Sequence, residues 1–274
     1  MAKLATAFKN ISGLVRSDRP LTNEQIFQAA PSVFADAPHI SRSARYAYIP
    51  TGDIVNGLRG EGFMPFMACQ ANSRIEGKAE FTKHMLRFRY ENQINGDTAN
   101  EIILVNSHDG TSSYQMLAGC FRFVCHNGLI CGDTVEDLRV RHSGDVLTNV
   151  IEGAYRIVDE FAQVDSGKEL MQGIQLNPRQ QNAFVNAALQ LRYDPEENVP
   201  IVAQQLNQPR RMDDWGSDLW RTFNRVQENL MQGGLKGINR NGGKVTTRKV
   251  TGLSESIRLN RALWTLAEEM AKLA

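Results

Sequence analysis

LVNSHDGTSSYQMLAGCFRFVCHNGLICGD, residues 104–133, is the segment around which we expect the chain to be organised, because it joins strand-forming segments through two turn signals. Residues 102–105 are Ile, Ile, Leu and Val, a run typical of a buried strand, and the Asp109-Gly110 pair after them favours a tight turn. Residues 121–125 then alternate with a period of two, and Asn127-Gly128 indicates a second turn. The stretch therefore predicts a β-hairpin that continues into a further strand.

Segments before this hairpin extend it into a sheet. Residues 83–90 alternate strictly, which assigns two sets of side chains to opposite faces. The first set is His84, Leu86, Phe88 and Tyr90, and the second is Lys83, Met85, Arg87 and Arg89. Shorter patterns predict strands at 45–50 and 66–71. We therefore expect an antiparallel meander from about Arg45 to Cys131, with one basic face.

Helical patterns flank this meander and fill the second half of the chain. The predicted helices are 1–19, 22–30, 51–60, 148–164, 178–191, 215–231 and 254–273. Their side chains expected to face the core include Ile26, Phe27, Ala30, Leu263 and Trp264. The fold class is thus α+β, an N-terminal antiparallel β meander with flanking helices followed by a helical C-terminal half. We expect an α+β domain at 1–147 and a helical region at 148–274 packed on it.

Composition narrows the class of protein. The chain has 274 residues, 42% of them apolar, 22% charged, and a net charge of +1. These values are ordinary for a folded soluble protein, and no apolar run is long enough to cross a bilayer. With no export signal and only four cysteines, we expect a cytoplasmic protein with reduced thiols and no membrane partner. Because the net charge is near zero, nucleic-acid binding would require local charge segregation.

The strongest segregation of charge lies at residues 233–252, GGLKGINRNGGKVTTRKVTG. This segment has six glycines and no acidic residue, and its basic residues are Lys236, Arg240, Lys244, Arg248 and Lys249. Glycine supplies mobility, and the threonine hydroxyls can bond phosphate oxygens. The segment therefore predicts a flexible phosphate-binding loop, with a merely solvated loop as the alternative.

Three further stretches carry a family resemblance. Phe121–Leu129, Trp220–Leu230 followed by Gly233-Gly234, and Leu259–Trp264 resemble the signatures of the YafZ/YfjQ-type group of phage-, prophage- and plasmid-borne proteins, labelled a domain of unknown function. The resemblance spans nearly the whole chain. It implies a mobile-element context but no activity. In the order of elements alone, the chain is also similar to the annealing proteins of phage recombination.

The reactive side chains of the opening stretch do not match a known catalytic or metal-binding pattern. Cys120, Cys125, His126 and Cys131 lack the paired spacing of compact zinc sites, although His108 across a hairpin could complete four ligands. Cys125 and His126 are strand neighbours and point to opposite faces, so we interpret Cys125 as a buried structural thiol. Helix capping explains the nearby acids Asp133, Glu136 and Asp137. We therefore expect no metal, no cofactor and no enzymatic activity.

Two hypotheses of function remain. The first is a non-enzymatic protein that binds single-stranded DNA, with strand annealing as one form of that activity. Its predicted phosphate contacts are Lys83, Arg87, Arg89, Lys236, Arg240, Lys244, Arg248 and Lys249, and its stacking side chains are Tyr46, Tyr48 or Phe66. The second is a protein-binding factor of a mobile element that inhibits a host restriction or defence system. A homo-oligomeric state is compatible with both, and an enzyme ranks third.

Overall fold

The chain folds into two compact units, each of which takes residues from both of the predicted regions. Unit 1 comprises Met1–Gly119 and Glu136–Asp159, and unit 2 comprises Cys120–Val135 and Glu160–Ala274. The computed structural model describes residues 13–42, 46, 48–73, 75–90, 94–95, 98–123, 127–131, 138–139, 146–194, 196 and 199–274.

The main sheet is an antiparallel meander. Its strands are β1 (Leu14–Arg16), β2 (Phe63–Gln70), β3 (His84–Tyr90), β4 (Ile94–Asn95), β5 (Thr98–Asn106), β6 (Gln115–Arg122), β7 (Asn127–Ile130) and β8 (Leu138–Arg139). Their order is β1-β2-β3-β5-β6-β7, with β4 paired to β5 and β8 paired to β6. Long strands that follow one another in sequence are neighbours in space, which confirms the predicted meander and the α+β class.

The first strand corrects the prediction of a helix over residues 1–19. Residues 1–12 lie outside the described part of the chain, and Leu14–Arg16 pair with β2 through the register Leu14↔Cys69 and Arg16↔Met67. The Gln70 amide also donates to the Gly13 carbonyl at 3.0 Å. Apolar Leu14 and Val15 suit a strand as well as a helix, and the edge of β2 offers them ladder hydrogen bonds.

Two short helices belong to unit 1. Helix α1 (Asn23–Ala29) begins at a capping box, in which the Thr22 hydroxyl accepts from the Gln25 amide and the Gln25 side chain accepts from the Thr22 amide. Ile26 and Ala30 are buried as predicted, whereas Phe27 is 56% exposed because the next position on a helix is rotated away from the core. Helix α2 (Thr51–Gly60) confirms the prediction for that segment. The predicted strand at 45–50 lies partly outside the described residues, and positions 48–50 are not in a strand.

The second half is helical, as predicted. Its helices are α3 (Val146–Gly173), which continues from unit 1 into unit 2, α4 (Pro178–Gln190), α5 (Leu219–Gln232) and α6 (Leu253–Leu273). Leu263 and Trp264 are buried, which confirms the predicted inner face of α6. The Trp264 ring meets the rings of Trp220 and Phe223 edge-on, with centroids 6.5 and 5.8 Å away.

Helix α5 begins four residues later than predicted, and a two-stranded sheet follows it. Asp218 caps α5 by accepting from the Arg221 amide at 2.9 Å, so Trp215 lies in a loop before the helix. After α5, strands β9 (Lys236–Ile238) and β10 (Lys244–Thr246) pair antiparallel. None of the helices in the described residues has the length and apolarity needed to cross a bilayer.

Candidate nucleic-acid interface

The basic segment forms an ordered β-hairpin, which corrects the prediction of a flexible loop. Asn239 and Gly243 close the turn through a backbone hydrogen bond of 2.9 Å, and the Asn239 side chain accepts from the amides of Asn241 and Gly243. On one side β9 lies against a neighbouring segment, where the Ile238 amide donates to the Pro200 carbonyl at 2.9 Å. A Cβ on Gly237 would overlap that carbonyl, so the glycine is there for close packing rather than mobility.

The base of the hairpin is tied to the C-terminal end of α5. Buried Thr247 accepts from the Leu235 amide through its hydroxyl and from the Gly234 amide through its carbonyl, at 3.0 and 2.8 Å. Gly233 has a positive φ of 62° and a Cβ there would lie 2.6 Å from the Arg248 backbone. The Arg192 guanidinium donates to the carbonyls of Leu230 and Arg248. These contacts hold the hairpin in one orientation within unit 2.

Five exposed basic side chains follow this hairpin. They are Lys236, Arg240, Lys244, Arg248 and Lys249. The register pairs Lys244 with Ile238 and Lys236 with Thr246, so these four side chains share the face opposite Pro200. Lys236, Arg240, Lys244 and Arg248 form no ion pair with any residue that the structure describes. Those four side chains therefore present positive charge that no described residue neutralises through an ion pair.

The basic residues predicted on β3 lie in a different setting, in unit 1. Arg87 and Arg89 are 3% and 5% exposed, and they bind the two carboxylate oxygens of Glu101 at 2.9 and 3.0 Å. The expected exposure of these two arginines is therefore corrected. The alternation correctly separated the two faces of the strand, but it did not show that β3 and β5 are buried on both faces. A buried guanidinium needs an opposite charge as partner, and Glu101 supplies it here. Lys83 is half-buried at the start of β3, and its role in binding stays a prediction.

The aromatic side chains proposed for stacking are also engaged inside unit 1. The Tyr46 hydroxyl donates to the Ser107 carbonyl at 2.7 Å, and the Tyr48 hydroxyl donates to the Ala35 carbonyl. Burial raises the pKa of Tyr48 to about 12. The guanidinium of Arg89 covers the Phe66 ring at 4.3 Å. All three aromatic residues are half-buried, which leaves little ring surface for a base.

A buried histidine pair is the polar cluster that the sequence reasoning missed. The rings of His84 and His108 lie 5.1 Å apart, and both side chains are 0% exposed. His84 contacts the hydroxyls of Ser32 and Thr51 at 3.0 Å each, one through each ring nitrogen. The Thr51 hydroxyl also accepts a hydrogen bond from the side-chain amide of Asn106 at 3.0 Å. The burial of His84 could have been predicted from the sequence, since the alternation of β3 placed His84 on the same face as the apolar residues Leu86 and Phe88.

His108 differs from His84, because neither of its ring nitrogens forms a hydrogen bond of good geometry with a residue that the structure describes. Burial lowers the pKa of His108 to about 4, although the Ser32 backbone and the Asp109 carboxylate oppose that effect. Burial and the neighbouring His108 lower the pKa of His84 to about 3. Both rings are therefore neutral at pH 7. The Ser32 and His84 pair has the atoms of a nucleophile and base, but its complete burial favours a structural role.

The candidate metal ligands and thiols of the sequence are partly within the described residues. Among the residues that the structure describes, no three His, Cys, Asp or Glu side chains form a group able to hold a metal ion. Cys120 and Cys131 are buried, and burial raises the pKa of the Cys69 thiol to about 11. The predictions for Cys125, His126, Asp133, Glu136 and Asp137 concern residues outside the described part of the chain.

Comparisons with known proteins connect this architecture to a group without an assigned activity. A family model described as "Domain of unknown function (DUF932)" matches residues 38–264. The UPF0380 proteins YafZ and YfjQ of Escherichia coli (strain K12) are each 50% identical over 270 residues, which is 98% of this chain and 98% of each relative. No solved structure matches the chain.

Proposed function

The chain belongs to the DUF932 family, and from that premise we propose that it is a single-stranded nucleic-acid-binding protein whose basic hairpin holds the phosphate backbone. The observation that supports the proposal is the ordered, exposed hairpin with five basic side chains and no acid within residues 233–252. Strand annealing and a setting in a phage or other mobile element belong to the same proposal.

The positive charge of the basic hairpin supports the proposal that it binds phosphate groups. The protein as a whole has a net charge of only +1, so the concentration of five positive charges in one short segment is compensated by acids elsewhere. Lysine and arginine side chains that contact phosphates release condensed counterions, which is the main source of sequence-independent affinity. A surface of this kind is expected to bind a backbone without reading the bases.

The order of the hairpin supports binding along its face. Lys236 and Lys244 are diagonal neighbours on the paired strands, which places their backbone positions about 7–8 Å apart. Arg240 lies at the turn beyond them, so the three charges follow the long axis of the hairpin. Because the backbone is fixed by the contacts to Pro200 and Thr247, binding orders side chains only, and the entropy cost is lower than for a mobile loop.

The dependence of affinity on salt tests this proposal. Five phosphate contacts on a single strand give a slope of log affinity against log salt of about −3.5, at about 0.7 for each contact. The variant K236Q/R240Q/K244Q should flatten the slope by about 2. The probe is a single-stranded oligothymidine, and the measurement is fluorescence anisotropy of a labelled oligomer at several salt concentrations.

A matched variant separates the hairpin from charge in general. R19Q/R156Q/R179Q removes the same number of positive charges from exposed positions outside the hairpin, and its slope should equal that of the wild type. Equal slopes for both triple variants would contradict the assignment of the hairpin. No binding by the wild-type protein at low salt would reject the function and favour the alternative, a protein-binding factor that inhibits a host restriction or defence system.

A further inference from the structure

We propose that Trp215, with Met212 beside it, is the platform on which an unpaired base of the bound strand stacks; the inference rests on the proposed function. Trp215 is 66% exposed and Met212 is 83% exposed. The other two tryptophans, Trp220 and Trp264, are 3% and 1% exposed. A large aromatic ring in solvent forgoes the free energy that burial would give, and exposed apolar side chains of this size often mark a binding site.

The loop that carries Trp215 is rigid. The guanidinium of Arg225 on α5 donates to the carbonyls of Asp214 and Gly216, on either side of Trp215, at 2.7 and 2.8 Å. Buried Asp214 accepts from Arg122 at 2.5 Å, and the Trp215 amide donates to the Met212 carbonyl at 3.0 Å. The exposed ring is thus held on a fixed backbone, which lowers the entropy cost of binding.

The charge of this loop favours stacking over phosphate contact. The arginines of the loop, Arg210 and Arg211, together with Arg221 in the first turn of α5, are matched in number by the acids Asp213, Asp214 and Asp218. Several of these groups also pair with one another, such as Arg221 with Asp218 at 2.8 Å. A neutral surface does not attract a backbone by itself, whereas every base has a face that can stack on an aromatic ring. The loop and the basic hairpin therefore supply complementary contacts.

The loop and the hairpin are attached to the same helix. Arg210, at the start of the loop, donates to the Asn229 side chain at 2.7 Å and to the carbonyl of Gly233, the first residue of the basic segment. Trp215 is fixed further towards the start of α5 by Arg225. The eight positions from Arg225 to Gly233 correspond to about 12 Å along a helix, at 1.5 Å per residue. A single strand of a few nucleotides spans that length, within the site sizes of about 4–16 nucleotides seen in other single-strand binders.

Tryptophan fluorescence tests the platform directly. Trp215 is the exposed tryptophan, so titration with oligothymidine should quench the emission of the wild-type protein, and W215F should lose this response while it retains affinity. W215A should weaken binding about 5- to 100-fold, the range for loss of one stacked base, without changing the salt slope. A duplex of the same length should bind W215A and the wild type alike. L170A removes another exposed apolar side chain of unit 2 and should leave affinity unchanged.

The outcomes separate this inference from the proposed function. The platform would be overturned if W215A bound oligothymidine with the affinity and the salt slope of the wild type, and if titration did not quench the emission of the wild-type protein. The hairpin would then remain as the binding surface. A change of oligomeric state in W215A, seen by light scattering, with unchanged affinity for oligothymidine would assign Trp215 to self-association instead. Absence of any salt-dependent binding by the wild type would reject the function itself.

Discussion

At the scale of single residues, the buried histidines show how burial determines protonation. Both ring nitrogens of His84 contact hydroxyl groups. Those of His108 have no such partner among the described residues, and its ring packs at a tilt against the rings of His84 and Tyr48. A charged imidazole in this setting would lose its hydration without gaining an ion pair, although Asp109 lies close enough to favour the charge. Asp109 binds Lys78 at 3.3 Å, and burial outweighs its effect on the pKa values of both rings, which remain neutral at pH 7.

This arrangement predicts that acid destabilises the protein. The pKa of His108 is about 4 in the folded chain and 6.5 in the unfolded chain, so the unfolded chain binds more protons between these values. Stability is therefore complete above about pH 6.5 and falls as the pH is lowered, by about 1.4 kcal/mol per pH unit for each histidine. Urea unfolding at pH 7, 6, 5 and 4.5 measures this slope. H108F keeps a ring at the site and should reduce the slope; an unchanged slope would contradict the assignment.

At the scale of elements, local patterns predicted most of the fold, and tertiary pairing explains the errors. The alternation of β3 and the helical patterns of α1 and α4 are encoded within a few neighbouring residues, so the sequence predicted these elements. The strand Leu14–Arg16 exists because β2 offers it an edge, and the hairpin β9–β10 exists because Pro200 and Thr247 hold a glycine-rich segment. Such partners are distant in sequence, and composition alone favoured a helix and a loop. For the same reason, the burial of Arg87 was not visible without Glu101.

We predict that the packing of the β9–β10 hairpin depends on Gly237. G237A places a methyl group against the Pro200 carbonyl, which should detach β9 from that segment and cost about 1–3 kcal/mol of stability. Affinity for oligothymidine should fall although no charge is removed, and the amides of Ile238 and Asn239 should exchange faster in hydrogen-exchange mass spectrometry. G167A, in the part of α3 that belongs to unit 2, has open space around its new Cβ and serves as the control. Faster exchange in G237A with wild-type affinity would show that the order of the hairpin is irrelevant to binding.

At the scale of the whole molecule, the sequence predicted the family, whereas the function stays a prediction. The three signature stretches indicated the YafZ/YfjQ-type group, and the identity of 50% to both relatives confirms it. All three stretches lie in unit 2, where Trp220 and Trp264 pack together, so much of the signature describes a core. Core residues identify a fold without identifying a ligand. The proposed function rests instead on the exposed hairpin and on Trp215, whose exposure depends on how the unit folds.

Two elements run from one unit into the other without a break, which predicts that the units unfold together. Both β6 and α3 include residues of unit 1 and unit 2, so unfolding of either unit interrupts an element of the other. All three tryptophans belong to unit 2, and their emission therefore reports on that unit, whereas far-ultraviolet circular dichroism reports on both. The two urea transitions should coincide. W264A removes a buried ring and should lower the free energy of unfolding by about 3–5 kcal/mol while it shifts both transitions equally. W215A should shift neither, because Trp215 is exposed; separate transitions in W264A would instead show that the units unfold independently.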